Sequence, residues 1–400
     1  MTFFDRVLLL LAAVLPAVHA GEMLAAAAGD TGVIPNSYIV IMNDGISTSD
    51  FDSHRTWATG LNNNAKRKRG VKMGGVSRTW AAAQMKGYSG SFDRQTIEKI
   101  AKSASVSYVE PDRMVNITVF ATQENAPSYG LGRISHRRPG NRNYVFDESA
   151  GRGITIYGVD TGIDIQHPDF QGRAVWGSNQ VNTVDADENG HGTHTAGTFA
   201  GTTFGVAKRA SIVAVKVLDA KGGGSASSII SGINWCVDHA RQNNLLGRAV
   251  MNLSLGGSGA RSFNQAATNA VNAGIFLSVA AGNDNQDAVG TSPASARGVC
   301  AVAASTEADE KASFSNFGEI VSIYAPGDKI ISAAPGGGSK VLSGTSMAAP
   351  HVAGVGAYLM ALEGISSNQV CDRLKSIAQP RIQNAGQDTT AKLLNNNSGV

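Results

Sequence analysis

A chain of 400 residues, 42% of them hydrophobic, holds more apolar material than one small core needs, so two folded units are expected. A net charge of +3 gives no electrostatic case for nucleic acid, and no basic amphipathic helix suited to a membrane surface is found. The 47 glycines are dispersed, which excludes a low-complexity array and points to tight turns and close packing.

The chain opens with MTFFDR and then VLLLLAAVLPAVHA, an apolar run ending in Val18, His19 and Ala20. Small residues at that end suit signal peptidase, so residues 1–20 are expected to be a secretory signal peptide cut after Ala20. The run is too short for a membrane span, and no later segment approaches the ~20 apolar residues that one needs. The expected destination is extracellular. Three cysteines follow, Cys236, Cys300 and Cys371; an oxidising destination permits one internal bridge and leaves one thiol over. All three pairings stay open, and the spacings match no zinc site.

Residues 37–115 read as a compact α+β unit. SYIVIM has the β-branched and aromatic content of a strand. SDFDSHRTWATGL reads as a helix with Ser49 or Asp50 as N-cap. A basic loop follows, in which KRKR at 66–69 is a solvated charge run. A turn, an amphipathic helix from about Asp93 and a strand ending at Pro111 complete a βαββαβ order, the ferredoxin-like pattern. Residues 116–151 are polar and turn-rich, and read as a linker.

From Gly153 the texture changes. ITIYGVD, SIVAVKVLD, AVMNLSL, IFLSVAAGN and VCAVAAS are apolar nearly throughout, as strands covered on both faces must be. SSIISGINWCVDHARQ and SFNQAATNAVNAG between them have helical spacing, so an α/β fold with a mostly parallel sheet and helices on both faces is predicted. Sites in such sheets form at the carboxyl ends of strands. Asp160 ends the first strand, Asn283 ends SVAAGN, His191 opens a predicted helix in HGTHTAG, and Ser346 opens another in SGTSMAAPHVAG. These are the parts of a nucleophile, a general base and an orienting carboxylate, with Asn283 and the Ser346 N–H as oxyanion donors. His194 and His351 each have a better-placed competitor beside them and read as structural. A metal set of Asp160, His191 and His194 is set aside, because HGTH spaces its imidazoles three apart and lacks the glutamate of HExxH. No GK[ST] follows the glycine runs, which removes a phosphate cradle.

Taken together, GVDTGID, HGTHTAG, SLGG, SVAAGN and GTSMAAPHVAG closely resemble the subtilase family, and SYGLGRISH, SPASARGVCAVAAS and ASFSNFG resemble its fungal proteinase K branch. The order Asp…His…Ser is that family's. The resemblance implies a subtilisin-like peptidase domain at 121–400 and an inhibitor-type propeptide at 21–120, with the α+β unit as its core. It implies a secreted serine endopeptidase with the triad Asp160, His191 and Ser346 and the oxyanion residue Asn283. Ser254, Leu255 and Gly256 would form one rail for an extended substrate, and Ala280, Ala281 and Gly282 a wall of the primary pocket. A pocket of Ala and Gly should favour apolar or aromatic side chains.

Further expectations follow from the same likeness. Cleavage between Phe120 and Ala121 would place an aromatic in that pocket and Ile117 in an outer one. The propeptide would assist folding and inhibit until removed, so the partners are protein substrates and the chain's own leader, with the enzyme acting as a monomer. The disulfide would join Cys300 and Cys371, with Cys236 a buried free thiol and Thr195 where the family's free cysteine stands. No cofactor serves catalysis. Ser322 replaces the aspartate expected to ligate a structural calcium, and Arg297 stands near the expected carbonyls, which weakens that site. Of three sequons, Asn116 lies beside the junction, Asn252 is expected to be buried and unmodified, and Asn396 is expected in an exposed tail.

Overall fold

The computed structural model describes residues 21–25, 33–70, 72–82, 85–113 and 120–400, in two compact units. The expected signal segment ending at Ala20, the sequon at Asn116 and Ile117 lie outside the described residues. Among the described residues no helix is long and apolar enough to cross a membrane.

The N-terminal unit follows the βαββαβ order. Its strands lie side by side as Val106–Arg113, Val33–Met42, Met85–Ser91 and Gly75–Ala82, all antiparallel, with Glu22–Met23 added parallel at one edge. Val40, Phe51, Tyr88, Phe92, Ile97 and Ile100 meet in its core. Two local expectations fail here. The first helix runs Thr48–Arg69, so KRKR forms its last turn and not a loop. Nothing breaks the helix before Gly70, which takes φ 67° and closes the end with its N–H on Lys66 O. Four cations there complement the carbonyl end of the helix. The cap is Ser47, whose hydroxyl accepts the Asp50 N–H, so Ser49 and Asp50 lie inside the first turn.

The C-terminal unit is built on a parallel sheet. Its strands run in the spatial order Ile323–Pro326, Cys300–Ser305, Ile275–Ala280, Ala249–Leu253, Thr155–Asp160, Ser211–Lys216 and Ala174–Asn179. Side chains alternate between two cores because a strand's period is two. Ile156 and Val250 face the helices His191–Ala200 and Thr345–Glu363. Tyr157, Val159 and Met251 face Ala226–Gln242 and Arg261–Asn272. The first strand sits mid-sheet with later strands added on both sides, and its carboxyl end is therefore a switch point where a crevice opens.

The stretch 116–151 is not a linker from Phe120 onward. Phe120–Gln123 pairs with Tyr144–Asp147, and the helix Tyr129–Ser135 between them is buried. Arg133 holds Asp309 with two hydrogen bonds of 2.6 and 2.8 Å, both side chains out of water. The strand Ala174–Asn179 and the antiparallel pair Ile330–Ala334 with Gly338–Leu342 escaped the sequence reading, since neither has a long apolar run.

Asn396 is the clearest correction. It is fully buried, not in an exposed tail; its amide donates to Val145 O at 2.7 Å and its backbone N–H to Ile134 O. Ser398 donates to Ser135 O, so Asn396 and Ser398 are both tied to the end of the Tyr129–Ser135 helix. Asn252 is buried within its strand, its amide on Ser254 Oγ. A disulfide joins Cys300 to Cys371, and Cys236 is a buried free thiol. Replacing Asn396 by Ala takes the amide partner from the part-buried Val145 carbonyl and should lower stability by about 1–3 kcal/mol. A thermal unfolding midpoint equal to wild type would contradict the docked terminus.

Candidate active site

Asp160 closes the central strand and is fully buried. Its Oδ1 accepts the Thr161 N–H at 2.7 Å and meets His191 Nδ1 at 2.7 Å. That bond assigns the ring's proton to Nδ1 and leaves Nε2 as the free acceptor. The His191 side chain keeps 24% exposure and lines a cleft of about 830 Å³. His191 reaches Asp160 because Gly192 allows the helix to press against the first strand's end, where any side chain would strike the Gly162 carbonyl.

Burial disfavours a charged His191 ring, but the charge and hydrogen bond of Asp160, with the charge of Asp187, outweigh it. Lys340 acts in the opposite sense, and the net result is a pKa above the ordinary 6.5. His194 and His351 differ. Burial lowers both to about 4. His194 Nε2 turns to the carbonyls of Ile330 and Lys340, and His351 Nδ1 to Met347 O, so neither joins Asp160 and His191 in a metal set. Among the described residues no group of three or more His, Cys, Asp or Glu could hold a metal.

Ser346 stands in the first turn of the helix Thr345–Glu363 and lines the same cleft as His191. Its hydroxyl donates to Ser254 O at 3.1 Å, and the Ser254 hydroxyl returns a bond to Ser346 O at 2.8 Å. No hydrogen bond joins Ser346 to His191 here; the Ser346 hydroxyl rests on the neighbouring strand end. Pro350 explains how Ser346 O comes to be free. In an unbroken helix the N–H four residues on would take that carbonyl, and proline has none. The small residues beyond serve packing. A side chain at Gly354 would meet Val206 and the Phe199 carbonyl, and one at Gly356 would meet the Phe276 ring.

Asn283 follows the strand Ile275–Ala280. Its Oδ1 accepts both the Thr345 N–H, at 2.8 Å, and the Thr345 hydroxyl, at 2.9 Å. Two donors on one oxygen fix which way the amide points, with Nδ2 turned outward. A methyl built on Gly344 would lie 3.6 Å from both Asn283 Nδ2 and Ser346 N, so two donors converge on one small space. A developing oxyanion there would be held by both.

Ser254, Leu255, Gly256, Ala280 and Gly282 also line the cleft. Ala281 does not; it is buried against Val321 and Tyr324, away from the cavity. Gly282 takes φ 107° and lets the Asn316 amide approach. Asn316, which no sequence signal flagged, is buried, accepts the N–H groups of Asp284 and Gln286, and donates to Ala281 O. It holds the loop that carries Asn283. Lys216 was missed too: it is fully buried and donates to Thr161 O at 2.7 Å, bracing the residue after Asp160. Thr195 spends its hydroxyl on Gly192 O. Lys221 and Asp284 add charge to the cleft wall.

Residues 151–398 match the profile described as the subtilase family, and residues 37–118 that described as peptidase inhibitor I9. A subtilisin-like protease of Coccidioides posadasii (strain C735) is 72% identical over 400 residues, all of both chains. Subtilisin-like protease 3 of Trichophyton equinum is 58% identical over 371 residues, 93% of each. The crystal structure of a cold adapted subtilisin-like serine proteinase matches with a TM-score of 0.64 at 42% identity, covering 68% of this chain and 99% of that one.

Proton NMR titration of the His191 ring should give a midpoint above 6.5. Asp160→Asn removes the favourable charge and should bring it down. A wild-type midpoint below 6.5, or one that the substitution leaves in place, would contradict the Asp160 coupling.

Proposed function

The chain belongs to the subtilase family, and on that premise we propose that this serine endopeptidase is secreted as a zymogen and cleaves proteins through Asp160, His191 and Ser346. The observation that carries the triad is the 2.7 Å bond between His191 and the buried Asp160, in the cleft that Ser346 also lines.

An extended substrate strand pairs with the backbone of Ser254–Gly256, and its side chain enters between Ala280, Gly282 and Gly256. The Ser254 carbonyl that now holds the Ser346 hydroxyl is also an acceptor the incoming strand needs. When the substrate takes it, the hydroxyl turns to His191 Nε2. The imidazole removes the proton as Ser346 Oγ bonds to the peptide carbonyl carbon, and Asp160 stabilises the imidazolium. Asn283 Nδ2 and the Ser346 N–H hold the oxyanion. The imidazolium then protonates the leaving amine, giving an acyl-enzyme. Water, deprotonated by the same ring, releases the acid and restores the serine.

The walls of Ala and Gly support a preference for apolar or aromatic side chains. The inhibitor match at 37–118 supports residues 21–120 as an intramolecular inhibitor removed at Phe120–Ala121. Phe120 is 46% exposed, which suits a scissile position. The leading apolar run supports secretion after cleavage at Ala20. The enzyme is proposed to act as a monomer, without nucleic acid or membrane partners. Ser322 spends its hydroxyl on the Ala301 N–H and offers no anionic oxygen, so no structural calcium is proposed there. Asn116 is the one sequon proposed to accept a glycan, because Asn252 and Asn396 are both fully buried.

Secreted enzyme should begin at Ala121 by N-terminal sequencing and cleave library peptides after Phe, Tyr or Leu; a start far from Ala121, or cleavage after charged residues, would refute the junction or the pocket. Ser346→Ala should abolish hydrolysis and accumulate unprocessed chain. Asn283→Ala should cost kcat roughly 10²–10³-fold with KM little changed, the scale known for the corresponding asparagine of subtilisin.

A further inference from the structure

Asp187 is a second buried carboxylate beside the site, and the chemistry above does not use it. It is 8% exposed and forms no ion pair among the described residues. Five hydrogen bonds end on it instead. Its Oδ1 accepts from Thr161 Oγ1 at 2.7 Å, Gly190 N at 2.7 Å and Asn189 N at 3.2 Å. Its Oδ2 accepts from Thr193 N at 2.8 Å and Thr193 Oγ1 at 2.6 Å.

These donors belong to two places that must stay in register. Gly190 and Thr193 flank the start of the His191 helix, whose own N-cap, Gly190, has no side chain to satisfy the free N–H groups. Thr161 follows Asp160, and its hydroxyl also accepts the Gly192 N–H at 2.9 Å. Asp187 therefore clamps the end of the central strand to the first turn of the helix. A carboxylate suits this place for a second reason: it faces the positive end of the helix dipole.

We propose that Asp187 is a positioning residue for the reaction, holding the His191 imidazole against Asp160 through Thr161 and Thr193 while keeping a second negative charge behind the ring. This rests on the reading of His191 as general base. The groups facing the ring and the helix start are Asp160 from the central strand, Asp187 from the preceding loop, Lys340 from the antiparallel pair and His194 one turn along the helix. Lys216 and Glu188 stand 3.4 Å apart behind Thr161. Asp160, Asp187 and Lys340 set the charge that the imidazolium feels, and Asp187 contributes in the same sense as Asp160.

Two substitutions separate the clamp from the charge. Asp187→Asn keeps the size but removes the charge and one acceptor, turning an N–H₂ toward donors that cannot use it. Its kcat should fall about tenfold with KM near wild type, as expected for slightly misplaced reacting groups. The acid limb of its kcat/KM profile should move to lower pH by about half a unit to one unit, because a charge favouring the imidazolium is gone. Thr161→Val removes the clamp and keeps the charge, so kcat should fall about tenfold with the acid limb in place. If Asp187→Asn does not accumulate as folded enzyme, Thr161→Val decides alone: lowered kcat supports the clamp and a wild-type kcat overturns it.

Thermal unfolding is measured alongside. A lowered midpoint in both variants with wild-type kcat and an unmoved acid limb would reduce Asp187 to a helix cap and overturn the proposal. His191→Ala is assayed in parallel. Retained hydrolysis there would overturn the reading of His191 itself, an outcome separate from a failure at Asp187.

Discussion

The hydrogen bond between Asp160 and His191 is the constraint on which the rest of the C-terminal unit's architecture converges. A carboxylate buried at the end of a central strand is costly unless its oxygens find donors. Here the Thr161 N–H and the imidazole both end on Oδ1, at 2.7 Å each, while Oδ2 is buried with no hydrogen-bond partner among the described residues. The partnership demands that a helix start within touching distance of a strand end, and Gly192 removes the side chain that would forbid it. Lys216 and Asp187 are then the braces of that junction, one beneath the strand end and one across the helix start. Neither takes part in bond making. Both explain why a short loop rich in polar residues is held so firmly.

The opposite wall of the cleft is organised around Ser346, and there the governing fact is what Pro350 lacks. Without that N–H, the Ser346 carbonyl is open to the Ser254 hydroxyl, and the two serines bind each other reciprocally. The strand end at Ser254 is thereby tied to the helix that carries Ser346, the proposed nucleophile. Thr345 ties the same helix to Asn283 and sets the direction of its amide.

Much of this was legible beforehand, for identifiable reasons. Strands covered on both faces must be apolar throughout, so ITIYGVD and its fellows announced a parallel sheet. Residues following such strands or opening helices fall at the carboxyl rim, which put Asp160, His191, Asn283 and Ser346 on one edge before any contact was known. The resemblance to subtilases rested on those same motifs. What misled was local texture. Polarity made 120–151 look like a linker, although its helix buries every residue and Arg133 finds Asp309 far along the chain. A terminal run of asparagines looked exposed, although Asn396 satisfies two backbone groups inside the unit. KRKR looked like a loop because charge suggests solvent, and a solvated helix end is solvent too.

The sequence by itself determined the kinds of element, their order, the two-unit division and the chemical parts available at the sheet's rim. These depend on side-chain period and on propensities that act over a few residues. Tertiary structure alone decided which partner each polar group takes: that the Asn283 amide points outward, that Ser346 rests on Ser254, that Ala281 turns away from the cleft, and that Asp187 joins Thr161 to the His191 helix. Thr345 lies 62 residues from Asn283, and Ser346 lies 92 from Ser254. A hydrogen bond has no period. Its partner is fixed only when folding brings distant segments to within about 3 Å, and no local pattern can announce that meeting.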